Sequence, residues 1–425
     1  MLALTIAAGS ASAEAQLRLP SVNLPASQAI GGFANDRLHD TASRLRALRE
    51  LPIVSDVRLD TVGKLLRQHG DVLEADPRGA PAVRREILAW SPSKAGLAAA
   101  RAAGLTVLRE TRLEGLDEVM LVLQVPEHAS TAALLEQLRA LDPEGSYDFN
   151  HIYTGSGAVG APAAPSGDAT ARKGGAISVG LVDSGVDASH QVFQDAMIER
   201  WGCDKPHPDQ HGTAVAALMV GQGGDFRGVA PRASLFAADI YCDSGSGGSA
   251  DKIAGALAWM AREKVGVINL SIVGPPNILL ERVVGSMVKR GHLLVAAVGN
   301  DGPAAPPLYP ASYPGVVGVS AVDKRGRVIP EAGRGPQVMF AAPGNNMVSA
   351  AVGDPAFRTV RGTSFASPIV AALLAVKLPY PDKALAAQAV SSLAKQARNE
   401  PGVASNETGL GVVGLNFRND PSSFR

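Results

Sequence analysis

Ile177-Ser178-Val179-Gly180-Leu181-Val182-Asp183-Ser184-Gly185 is the stretch on which the fold turns. A short apolar run ends there in an acid and a turn. Further apolar runs follow at 235–240, 265–270, 293–298 and 316–319, alternating with stretches of helical periodicity. Strands that are apolar on both faces need cover on both faces, and intervening helices supply it. The pattern predicts an α/β fold, a doubly wound parallel sheet, over residues 176–425. In such sheets, sites gather at the carboxyl ends of strands, where Asp183 sits.

Working upstream, residues 154–175 are rich in Gly, Ala, Pro and Ser and read as a linker. Ahead of them, 86–90, 105–109, 119–125 and 146–153 read as strands. Ser93 is an N-cap candidate for an Ala-rich helix closed by Gly104. Residues 131–141 carry Leu134, Leu135, Leu138 and Leu141 on one helical stripe. The order β-α-β-β-α-β predicts a small ferredoxin-like α+β domain over 83–153. Residues 14–82 form an extension with no legible role. Within it, 37–51 and 61–74 read as amphipathic helices and 76–79 as a turn. At 1–13, an apolar start and Ala11-Ser12-Ala13 fit a cleaved export signal, although no Lys or Arg precedes Arg18. A secreted or periplasmic location is the expectation.

Composition narrows the function. The 40 basic and 40 acidic side chains cancel, which argues against a general nucleic-acid binder. No apolar run reaches the roughly 18 residues of a membrane span. Two cysteines, Cys203 and Cys242, are too few for a disulfide framework or a four-thiolate zinc site. In an exported chain they form one disulfide or stay as two buried thiols.

Three motifs carry chemistry. Asp183 closes the first strand. His211-Gly212-Thr213-Ala214 opens an apolar helix of small residues. Gly362-Thr363-Ser364-Phe365-Ala366-Ser367-Pro368 opens another. Taken singly, each has an ordinary structural reading: a turn-making Asp, a capping His, an N-cap Ser. Together they supply an acid, a base and a nucleophile, and a serine at a helix N-terminus has backbone N–H groups beside it for an oxyanion. Val298-Gly299-Asn300-Asp301-Gly302 adds a side-chain amide after a buried strand. His190 and His207 lack the His-Gly-Thr context and read as surface residues.

The set resembles a secreted subtilisin-like serine protease with its propeptide, over about residues 175–418. The order Asp, His, Ser is that of the subtilisin triad. Gly245-Ser246-Gly247-Gly248-Ser249, Val267-Ile268-Asn269-Leu270-Ser271, Tyr309-Pro310-Ala311-Ser312-Tyr313-Pro314 and Ala342-Pro343-Gly344 also match family segments. The resemblance implies catalytic roles for Asp183, His211 and Ser364, and an oxyanion role for Asn300. It implies substrate binding by Ser246, Gly247, Ser271, Ile272, Val273 and Gly299. Protein or peptide substrates are implied as partners, with the chain's own propeptide as intramolecular inhibitor and chaperone. No cofactor is expected; calcium is common in the family, but no loop with assignable oxygen ligands stands out. The chain departs from the family at Ala214 and Ile369, where histidines are frequent, and at Val273, where glycine is usual and a β-branched residue would narrow the cleft. The alternatives are a catalytically silent binding protein on the same fold, disfavoured because all four chemical positions are filled, and an esterase. Self-cleavage is expected between Tyr153 and Gly175, with Tyr153–Thr154 the leading bond.

Overall fold

The computed structural model describes residues 55–155, 177–398 and 405–424. The expected export segment, the 37–51 helix and most of the linker lie outside them.

The small domain starts earlier than expected. Helix α1, Ser55–Gln68, is followed by β1, Leu73–Ala75. The helix read over 61–74 therefore ends at Gln68, because 73–75 is drawn into antiparallel pairing with Val83, Ala82 and Pro81. Then come β2 Pro81–Trp90, α2 Lys94–Ala102, β3 Thr106–Leu113, β4 Glu118–Gln124, α3 Thr131–Leu141 and β5 Ser146–Gly155. Ser93 and Ser130 cap the two helices by accepting from Gly96 N–H and Ala133 N–H. The sheet order is β5-β2-β4-β3, all antiparallel. Strand β2 is buried on both faces. Ile87 and Ala89 join Leu135 and Leu138 beneath the helices, whereas Leu88 and Trp90 face away, into a core shared with the large domain.

The large domain contains β6 Ser178–Asp183, β7 Met197–Trp201, α4 Gln210–Val220, a hairpin of β8 Gln222–Gly223 and β9 Phe226–Arg227, and β10 Ser234–Asp239. It continues with β11 Gly248–Ser249, α5 Ala250–Arg262, β12 Val267–Leu270, β13 Ile272–Val273, α6 Ile278–Lys289, β14 Leu293–Ala297 and β15 Val317–Val322. Last come β16 Val338–Pro343, β17 Met347–Ala350, β18 Phe357–Val360, α7 Thr363–Ala375 and α8 Lys383–Ala394. The main sheet runs β16-β15-β14-β12-β6-β10-β7, parallel throughout. Alternation along β6 explains its apolar run. Val179 and Leu181 pack with α4 and α7 on one face, and Val182 with α5 and α6 on the other. Gly180 faces α5, where a methyl group would stand 2.6 Å from the Met260 sulfur. The outer face of the small-domain sheet (Leu88, Trp90, Met120, Val122) packs into the same α5/α6 core. Cys203 and Cys242 are joined in a disulfide, Cα to Cα 5.7 Å, which settles the two readings in favour of the bond.

Candidate active site

The site is assembled by the ends of β6, α4 and α7. Asp183, the last residue of β6, is fully buried. Its Oδ1 lies 2.7 Å from Nδ1 of His211 and also accepts from the Ser184 N–H (2.7 Å). His211 is the second residue of α4, whose N-cap Asp209 accepts from the His211 N–H. Ser184 Oγ ties the two segments together, donating to Asp209 and accepting from Gly212 N–H. Burial pushes the His211 pKa down, but the charge and hydrogen bond of Asp183 and the charge of Asp209 outweigh it, so the pKa is raised. Nε2 of His211 is buried and has no hydrogen-bond partner among the described residues.

Ser364 is the second residue of α7 and fully buried. Gly362 precedes the helix at φ 135°, a conformation that favours glycine. Phe365, next to Ser364, lies with its ring centroid 5.4 Å from that of His211. The Ser364 hydroxyl donates to the Ser271 carbonyl (3.1 Å). The Ser271 hydroxyl donates back to the Ser364 carbonyl (2.8 Å). Ser271 thus fastens β12–β13 to the start of α7, and its side chain is a tie under the site. Asn300 stands at the same helix end, its Oδ1 accepting from Thr363 N–H (3.0 Å) while Thr363 Oγ1 accepts from Gly299 N–H. With the amide oxygen committed to α7, the NH2 end is the one that can donate.

Of the expected substrate-binding residues, Gly247, Ile272 and Val273 border a slot already filled by chain. The end of β5 runs antiparallel between two short strands, pairing Ile152 and Tyr153 with Ser249 and Gly248, and Thr154 and Gly155 with Val273 and Ile272. The pairing on one wall falls on Gly248 and Ser249, just past Ser246 and Gly247. A methyl group on Gly247, at φ 101°, would stand 2.7 Å from the Tyr153 carbonyl. Gly299, at φ 96°, lies against Leu308: a methyl group there would stand 2.5 Å from the Leu308 side chain and 3.7 Å from Val273. Tyr153 is fully buried, its hydroxyl donating to the Pro275 carbonyl (2.7 Å) and its ring against Gly274. Gly155, not Tyr153, abuts His211: a methyl group there would stand 3.3 Å from its Nε2. The Tyr153–Thr154 bond is thereby held short of His211, a correction to its expected place as the leading cleavage bond.

His190 is also corrected. It is buried, with Nε2 2.7 Å from the Ala356 carbonyl and its ring edge-on to Phe357. His207 is half-buried. Among the described residues, the one metal-sized grouping of His, Cys, Asp or Glu is Cys203, Asp239 and Cys242. Both of its sulfurs are spent in the disulfide, so it does not fit an ion. Sequence reasoning passed over Ser184, Asp209 and Thr363. Only Asp209 carried a signal, as an N-cap residue two before His211.

Residues 174–411 match the family model described as the subtilase family. The chain is 34% identical over 229 residues to subtilisin-like protease 1 of Trichophyton rubrum, covering 50% of this chain and 44% of that protein. To the minor extracellular protease Epr of Bacillus subtilis it is 30% identical over 205 residues, covering 47% and 32%. To subtilisin DY of Bacillus licheniformis it is 31% identical over 236 residues, covering 53% and 85%. The first two are thus matched over half their length or less. In fold, the chain is similar to fervidolysin from Fervidobacterium pennivorans, described as a keratinolytic enzyme related to subtilisin. The TM-score is 0.66 at 21% identity, over 81% of this chain and 62% of that one.

Proposed function

The chain belongs to the subtilase family, and on that premise we propose that it is a serine endopeptidase, exported as a precursor and held closed by its own small domain until it cuts itself. The observation that carries this reading is the convergence of the Asp183–His211 pair, the Ser364 helix end and the Asn300 amide on a slot lined by strand edges.

The chemistry follows from the roles. Ser364 Oγ attacks the peptide carbonyl, and His211 Nε2 takes its proton and returns it to the leaving amine. Asp183 fixes the tautomer and stabilises the imidazolium. Asn300 and the Ser364 backbone N–H stabilise the tetrahedral oxyanion. Water then releases the acyl group by the reverse sequence.

The slot suits polypeptide because both walls offer backbone hydrogen bonds to an extended segment, and β5 already uses them as a substrate would. That supports the small domain as an intramolecular inhibitor. Gly155 pairs with Ile272, the neighbour of Ser271, whose carbonyl Ser364 Oγ contacts. The expected cut therefore falls just past Gly155, at Ser156–Gly157. A chaperone role draws support from β5 at the helix ends: Asp148 Oδ2 accepts from Ile278 N–H, the start of α6, and Asn150 Oδ1 from Asp251 N–H in the first turn of α5. Export is supported by the Cys203–Cys242 disulfide, which persists in oxidising compartments. Among the described residues no helix is long and apolar enough to cross a membrane.

A serine-directed phosphonate should label Ser364 in the processed protein, and Ser364→Ala should abolish both labelling and casein hydrolysis while the far-UV circular dichroism stays that of the wild type. Undiminished hydrolysis by folded Ser364→Ala would reject the assignment.

A further inference from the structure

A second segment of chain reaches the slot. Helix α1 opens the small domain, and a residue near each of its ends touches one wall. At one end, Nη2 of Arg58 donates to the Val273 carbonyl (3.5 Å), and Nε lies 3.6 Å from Oδ2 of Asp301. Past the other end, His69 sits against Gly245, where a methyl group would stand 3.1 Å from its ring. Val273 is the residue that pairs with Thr154, and Asp301 follows Asn300. Arg58 thus brings a cation into the part of the slot nearest the proposed oxyanion residue.

The acceptor is unusual for a surface acid. The side chains of Arg58 and Asp301 are only 20% and 14% exposed. Oδ2 of Asp301 accepts no hydrogen bond among the described residues. Burial raises the Asp301 pKa, and Arg58 is the charge that opposes the rise. A buried carboxylate oxygen without a hydrogen bond is costly unless a cation stands beside it. Yet the Arg58 contacts are longer than the roughly 2.7–2.9 Å of a tight charge-assisted hydrogen bond, as suits an occupant that must leave. Once α1 departs with the small domain, Asp301 faces the slot uncompensated.

We propose that Asp301 and the Val273 carbonyl form a cation subsite, which takes an arginine or lysine side chain of the substrate and which Arg58 occupies in the precursor. The proposal rests on the endopeptidase reading and names a substrate class for it.

The test uses enzyme matured from the full chain and peptides that differ only in carrying Arg, Lys or norleucine at each of the four positions before the cut. Phosphonate labelling of Ser364 is the control for the endopeptidase reading itself, so unlabelled, inactive protein indicts that reading and not the subsite. In labelled wild type, one position should favour Arg and Lys over norleucine by about tenfold or more in kcat/KM. Asp301→Asn should collapse that ratio, and Asp301→Glu, which keeps the charge, should retain it. In the full-length precursor, Arg58→Met should speed phosphonate labelling several-fold. Labelled wild type without cationic preference, or a ratio unchanged in Asp301→Asn, would overturn the subsite. Labelling of the Arg58→Met precursor no faster than wild type would overturn its occupation by Arg58.

Discussion

His211 carries the balance of charge at the site. Burial disfavours its protonated form, but Asp183 at 2.7 Å and the nearby Asp209 raise its pKa above the ordinary value. A general base must be neutral to act, so kcat/KM should climb with pH through that raised value and level off above it. Asp209→Asn tests the coupling without uncapping α4, because an asparagine oxygen can still accept from the His211 N–H. With one negative charge fewer, the imidazolium is less stabilised. The acid limb of the kcat/KM profile should then move to lower pH. A limb that stays put, or moves up, would mean that Asp209 serves only as a cap. At this scale the sequence singles out residue types that the proposed chemistry demands, Asp183, His211, Ser364 and Asn300. It was silent where a role depends on distant contacts. Arg58 meets Val273 across 215 residues of chain, and His190 is buried by Phe357 and Ala356 from a remote loop.

The central strands were legible because burial on both faces demands a continuous apolar run, and β6, β10, β12, β14 and β15 all have one. Strand β7 was not, because it lies at the edge of the sheet and Glu199 and Arg200 point to solvent. Strand β16, the other edge, was obscured by the turn residues Pro343 and Gly344 that end it. The two-residue strands β11 and β13 have no local signature, since they exist only as pairing partners of β5. That dependence suggests a prediction for elements. Asp148 on β5 accepts from Ile278 N–H at 2.7 Å, so the small domain supplies part of the α6 cap. Replacing a capping side chain by alanine costs about 0.5–2 kcal/mol. Asp148→Ala should therefore weaken the hold of the cleaved small domain on the mature enzyme by roughly 2–30-fold. Recovery of peptidase activity on dilution of the processed complex measures this. Recovery identical to wild type would show that Asp148 contributes nothing to retention.

Across the whole molecule, the proposed reading has one layout serve both folding and control. A parallel sheet gains its contacts only after long loops close, which makes such a domain slow to form unaided. The small domain offers a preformed face, with Leu88, Trp90, Met120 and Val122 packed into the α5/α6 core. Its ion-paired rim sets Arg109 between Glu86 and Asp251. From that base β5 extends into the slot and stops with Gly155 against His211. On the proposed reading, inhibitor and substrate are the same piece of chain, and the first turnover is on the chain itself. The direct measurement is the N-terminal sequence and intact mass of wild type expressed beside Ser364→Ala. The account predicts a wild-type fragment beginning at Gly157, or trimmed from there within the linker, while Ser364→Ala stays uncut between the small and large domains. The same cut in both proteins would show that another protease makes it, and a folded wild type that remains one chain would contradict self-processing outright.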